Sequence, residues 1–194
     1  MKTIYLFRHS SPKKNSTLTN EFIPISKAGE KLMKQLVNKL NIPYPVKVFS
    51  SPYVRTKQTA EVITLDVLTD IRLIERKIGD KNTFTKDLWS KQYIDLDVMN
   101  VNGESFRMVQ NRMNEFMNET IKKMDDGQCT IVVSHAAAIC AYLQKYCFIE
   151  VVDVDTKHRK IVFKNETIFD GAIKAPSCFI LVFDDELISI SYVE

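Results

Sequence analysis

The sequence predicts an α/β protein: a three-layer sandwich whose mostly parallel central sheet is flanked by helices, with an antiparallel edge strand near the C-terminus. Short apolar runs alternate with segments of helical period along most of the chain, which is the pattern of a parallel sheet with crossover helices. Three of these runs, in FRHSS, SSPYVR and VVSHAA, end abruptly on or near an arginine or histidine. The final apolar stretch, SCFILVFDDELISISYV, reads instead as a hairpin turning over Asp184 to Glu186.

Each element has its own signal. Thr3 to Phe7 are β-branched, aromatic or aliphatic, the composition of a short buried strand, and the polar residues from Ser10 to Asn20 make a loop. PISKAGEKLMKQLVNKL places Ala28, Leu32, Leu36 and Leu40 at four-residue spacing on one helix face, with Ser26 as N-cap. VKVF is a strand, after which Ser51 serves as N-cap and Pro52 as the first residue of a second helix. DIRLIE reads as a further strand, and TFTKDLWSKQYIDLDVM as a loosely amphipathic segment. In GESFRMVQNRMNEFMNETIKKM, a long helix, Phe106, Val109, Met113, Met117 and Met124 share a face. Helical spacing assigns those methionines to the core rather than to a soft metal or a partner. TIVVSHAAAICAYLQKY repeats the strand, polar elbow and helix arrangement.

At 194 residues, with 45% hydrophobic and 26% charged side chains, the chain fits a single domain spanning 1–194 with an ordinary packed core. The formal charge of +3 is small and dispersed, which argues against a nucleic-acid partner. Neither IYLF before Arg8 nor AAAICAYL is long enough for a signal peptide or a membrane span, so a cytoplasmic location without membrane attachment is the expectation. Cys129, Cys140, Cys147 and Cys178 form no CxxC pair and read as reduced thiols.

The three strand-end clusters share one design. Ligands of open α/β sheets sit at the carboxyl ends of strands, and helix N-termini there attract anions. Arg8, His9, Arg55 and His135 could therefore surround one phosphate, because the planar arginine fork donates paired hydrogen bonds to phosphate oxygens. Singly, each of these residues is more simply a structural or solvated group. Two of the three histidines at equivalent strand ends make a joint pattern. His158 has no such context, and the basic run from Lys157 to Lys160 reads as a solvated loop.

LFRHSSPKKN resembles the N-terminal RHG signature of the histidine phosphatase superfamily, which includes the cofactor-dependent phosphoglycerate mutases. PISKAGEK, SSPYVRTKQTAEVI, DIRLIERKIGD, GESF and VVSHAAAI resemble that family's later blocks, in the family's order, from Thr3 to about Ile139. The resemblance implies roles. His9 would be the nucleophile that becomes phosphorylated; Arg8, Arg55 and His135 would hold the phosphate; Asn15 would add a side-chain donor; Glu75 would be the proton donor. No metal or cofactor is implied, and no aspartate cluster or HExxH arrangement suggests one.

The implied activity is metal-independent hydrolysis of small phosphomonoesters through a phosphohistidine. A phosphoglycerate mutase-like phosphotransferase is the alternative. Mutases of this family usually carry an insertion after the Glu75 segment, whereas here only Arg76 to Gly103 precede the long helix. A second alternative is a catalytically weakened phosphate-binding or scaffold protein, because the glycines after the family's two histidines are Ser10 and Ala136 here. A positive φ at Ser10 would cost about 1 to 2 kcal/mol.

Overall fold

In the computed structural model, which describes residues 1–44 and 46–194, the strand-helix alternation closes into a doubly wound sheet. Strands β1 (Lys2–Arg8), β2 (Lys47–Ser50), β3 (Val67–Thr69) and β4 (Cys129–Ser134) run parallel. β5 (Phe148–Asp153), β6 (His158–Phe163) and β7 (Glu166–Gly171) form a separate antiparallel sheet. β8 (Ser177–Phe183) and β9 (Leu187–Val193) are the expected hairpin, and β8 adds antiparallel to β1. The main sheet therefore has the order β3-β2-β4-β1-β8-β9.

Among the described residues five helices of α type accompany the strands: α1 (Lys27–Leu40), α2 (Val54–Glu61), α3 (Lys86–Lys91), α4 (Phe106–Lys122) and α5 (Ala136–Leu143). Alternate residues of the central strands supply two cores. Phe7, Ile131 and Val133 pack with Met33 and Leu36 of α1 and Ala60 of α2. Ile4, Leu6 and Val132 pack on the other face with Phe106, Val109, Met113 and Met117 of α4 and with Ile139 to Leu143 of α5. Met113 and Met117 of α4, and Met124 just past its end, are core, as their spacing requires, whereas Met108 is exposed. One face of the three-stranded sheet, through Ile149, Ile161, Phe163 and Phe169, joins that same core.

Several elements differ from their sequence reading. Ser26 caps α1 as expected, accepting from the Gly29 amide at 3.0 Å, but the buried face is Gly29, Met33 and Leu36, with Ala28 and Leu32 exposed. The face is one residue out of phase because Gly29 lies against the first loop: a Cβ there would come within 2.6 Å of the Ser11 carbonyl. α2 begins at Val54, not Pro52: the extended Tyr53 takes the N-cap position, although the Ser51 hydroxyl still accepts from the Tyr53 amide at 3.3 Å. DIRLIE is not a strand: Asp70 caps a single 3-10 turn, Ile71–Leu73, and the strand precedes it at Val67–Thr69. The cysteines are free. Among the described residues no helix is long and apolar enough to cross a membrane.

Two features of topology place the site. β1 is followed by α1 on one face of the sheet and its neighbour β4 by α5 on the other, so a crevice opens between the carboxyl ends of β1 and β4. The parallel register sets Arg8 beside Ser134 and Ser50 beside Val133. His9, His135 and the start of the α2 segment therefore emerge side by side.

Candidate active site

At the mouth of that crevice the His9 amide donates to the Ser134 carbonyl at 2.9 Å, and the His9 and His135 rings meet edge to face with centroids 5.1 Å apart. Both imidazoles are buried. Their partners fix complementary tautomers. His9 Nδ1–H donates to the Ser10 carbonyl at 2.7 Å, which leaves the Nε2 lone pair facing Arg55 Nε at 3.1 Å. His135 Nδ1 accepts from an Nη of Arg55 at 3.1 Å, so its Nε2–H donates to Ser51 Oγ at 3.0 Å. One guanidinium thus bridges two imidazoles, and its remaining Nη donates to the Asn20 carbonyl.

The electrostatics agree with that assignment. Burial, reinforced by the Arg55 charge, pushes His9 down to about 3. Burial, then the neighbouring His9 and Arg55, lowers His135 as well. Both rings are therefore neutral near pH 7. Burial also lowers Arg8 and Arg55, opposed in both cases by the Glu75 carboxylate.

Arg8, at the last position of β1, donates one Nη to the Ile173 carbonyl, while its buried Nε has no partner. Glu75 follows the Ile71–Leu73 turn. Its Oε1 accepts from the Arg76 amide at 2.9 Å and from the Ala138 amide in the first turn of α5 at 3.1 Å. Arg112 of α4 holds this segment from behind, donating to the Arg72 and Ile74 carbonyls at 2.6 and 2.9 Å and pairing with Glu104 at 3.0 Å.

The structure brings His9, His135, Arg55, Arg8 and Glu75 to one place, and leaves Asn15 apart. Asn15 sits in an exposed turn at φ 56°, and its side chain makes no hydrogen bond among the described residues. Ser10 and Ala136 are unstrained, since neither is among the residues with positive φ. The Ser10 hydroxyl donates to the Gly29 carbonyl at 2.7 Å, and its amide donates to Thr59 Oγ1 at 2.9 Å. Ala136 is the first residue of α5.

A cleft of about 560 Å³ leads away from Arg8 and Glu75. Its walls are the α3 region, through Phe84 and Trp89, and the β5–β6 turn with the start of β6, through Asp155, Lys157 and Arg159. Sequence reasoning missed Arg76, Trp89, Arg159 and the supporting Ser51. Arg159 in particular is not the solvated residue expected of the run from Lys157 to Lys160: it is 5% exposed, donates Nε to Tyr93 Oη at 2.7 Å and stacks 4.8 Å over Trp89. The only sequence signal for it was the alternation of HRKIVF, which places His158, Lys160 and Val162 on one face and Arg159, Ile161 and Phe163 on the buried one.

A doubly wound α/β protein with two neutral imidazoles and buried arginines at its switch point is the class that fold and site define. The chain belongs to the histidine phosphatase superfamily (branch 1), whose model matches residues 4–159. It is 26% identical over 155 residues to an Escherichia coli protein named "Probable phosphoglycerate mutase GpmB", the match covering 72% of each chain. Among solved structures, YhfR of Bacillus stearothermophilus superposes with a TM-score of 0.69 at 19% identity, covering 97% of this chain and 95% of that one. A mycobacterial glucosyl-3-phosphoglycerate phosphatase superposes with a TM-score of 0.64 at 19% identity, covering 98% and 95%.

Proposed function

We propose that the protein hydrolyses small phosphomonoesters through a phosphohistidine at His9. The observation that carries this is the Arg55 guanidinium bridging two buried neutral imidazoles, of which His9 presents an Nε2 lone pair. In the reaction the substrate phosphate takes over the Arg55 hydrogen bonds and frees that lone pair. Nε2 attacks phosphorus in line as the ester P–O bond breaks. Arg8, Arg55 and His135 balance charge on the equatorial oxygens, and His135 donates once its tautomer shifts or it gains a proton. Glu75 gives the departing alkoxide a proton, then takes one from the water that attacks the phosphohistidine. Asn15 joins the phosphate shell only if its exposed loop turns inward.

Phosphotransfer to a second hydroxyl, as in a mutase, uses the same pocket, and the relative named a phosphoglycerate mutase supports that reading. The short connection after Glu75, which holds only the six-residue α3, favours water as acceptor. Against the scaffold reading stands the absence of a positive φ at Ser10 and at Ala136.

Rapid quenching with a labelled phosphomonoester tests the proposal. Wild type is expected to yield an acid-labile, base-stable phosphoenzyme and inorganic phosphate, and His9→Ala neither, with turnover falling on the order of 10⁴-fold or more. Undiminished turnover in His9→Ala would end the phosphohistidine mechanism. Interconversion of phosphoglycerates without net phosphate release would transfer the protein to the mutases.

A further inference from the structure

The wall of the cleft holds more positive charge than one phosphate group needs. Arg8 is committed to the phosphate end, but Arg76 and Arg159, each 5% exposed, also line the cleft. Arg76 spends one Nη on the Glu104 carbonyl at 3.3 Å and leaves a buried Nε without a partner. Arg159 spends Nε on Tyr93 and one Nη on the Lys157 carbonyl at 2.9 Å, which leaves its other Nη without a protein acceptor among the described residues. Lys157 lines the same wall. Against these stand two carboxylates. Glu75 belongs to the chemistry, and Asp155 is paired with Lys86. Buried guanidiniums are costly unless an anion meets them.

The two arginines are also held in place. Arg76 lies 5.2 Å over Phe84 and 5.5 Å over Phe106, while Arg159 lies between Trp89 at 4.8 Å and Tyr93 at 5.4 Å. Stacking fixes each planar group and leaves its donor edges as the binding surface. At about 560 Å³ the cleft suits a small molecule rather than a phosphate ion alone.

From this, and resting on the phosphomonoesterase reading, we propose that the substrate carries a second anionic group, a carboxylate or another phosphate, and that Arg159 on β6 is the residue that receives it, with Arg76 beside it. The β5–β7 sheet is then the specificity element of the molecule. It is what delivers Arg159 to a pocket whose chemistry is built by other strands.

Trp89 supplies a direct reporter, being the only tryptophan in the chain and stacked on Arg159. The experiment titrates His9→Ala protein, which holds ester without turning it over, with a homologous series of alkyl phosphates ended by methyl, carboxylate or a second phosphate. At the best chain length the anion-ended esters are expected to bind at least about tenfold more tightly than the methyl-ended ester and to shift Trp89 fluorescence, the scale of one charge-assisted hydrogen bond. The stronger of the two anionic ends names the source of the charge. Adding Arg159→Gln should collapse that ratio to near one, and Arg159→Lys should restore part of it. Equal affinity for all three ends, a ratio that survives Arg159→Gln, or an equal loss on every ester would each overturn the proposal. The comparison of the three ester ends on His9→Ala protein, whose cleft wall is unaltered, stands even if the glutamine variant fails to fold. Because binding is read without turnover, a wild type that hydrolyses none of the series defeats the phosphatase reading alone.

Discussion

The floor of the pocket and its outer wall use the same residue types in opposite ways. On the floor, Arg55 has donors on three acceptors, His9, His135 and the Asn20 carbonyl, and both imidazoles have each nitrogen engaged. On the wall, Arg76 and Arg159 are just as buried, but among the described residues Arg76 leaves its Nε and Arg159 one Nη without an acceptor. A saturated network fixes geometry and tautomer, which is what in-line attack demands. Unpartnered donors stay available to a ligand, so on the proposed reading the Arg55 network serves the chemistry, while the wall arginines, together with the Nε of Arg8, serve binding.

The largest test of this contrast is Arg55→Ala. Removing the bridging fork should cut kcat/KM about 10²- to 10³-fold for every phosphomonoester, and should weaken phosphate and vanadate binding too, because the bond exists in ground and transition states alike. Unchanged vanadate affinity would place Arg55 outside the phosphate shell. Glu75→Gln should act more selectively. With an alkyl phosphate, whose alkoxide needs its proton, single-turnover phosphorylation of His9 should fall about 100-fold, and with p-nitrophenyl phosphate much less. Equal losses on both would pass the acid role to another group.

A smaller effect concerns stability. His9 protonates near pH 6.5 in the unfolded chain and only near 3 when folded, so between those values the unfolded state holds more protons and stability is lost as the pH is lowered. The loss from pH 7 to pH 5 should be about 2 kcal/mol from His9, with His135 adding in the same direction. Urea denaturation at the two pH values checks it. A flat profile would mean that the folded rings accept protons after all. The smallest effect belongs to the rim of the wall: Lys86 and Asp155 are both mostly exposed, and Lys86→Ala should change stability by less than about 0.5 kcal/mol.

The same contrast explains what the sequence could disclose. His9, His135, Arg8 and Arg55 were legible because each ends an apolar strand or follows one by one or a few residues, and parallel strands align their carboxyl ends whatever happens elsewhere. Glu75 came with the family resemblance, although its segment is a 3-10 turn and not a strand. Arg159 and Trp89 were not legible. Their meeting depends on how the β5–β7 sheet packs against α3, a contact between segments with no shared period. The bridging tautomers were hidden too, since they depend on a carbonyl at Ser10, a hydroxyl at Ser51 and a carbonyl at Asn20, groups that any loop possesses.

The register that sets Arg8 beside Ser134 also decides when the site comes into being. β1 is the first strand of the chain and β4 the fourth, and β4 enters the sheet between β1 and β2, so the gap between those two strands must stay open until most of the chain is available. Closing so long a loop is slow and earns little until the final contacts form. A growing chain that has made β1, α1, β2 and α2 holds His9 and Arg55 but no second imidazole and no crevice. On the proposed function, phosphate affinity would arrive in one step with β4, and bound phosphate or substrate would act as a brake on global unfolding rather than on the fraying of any single element.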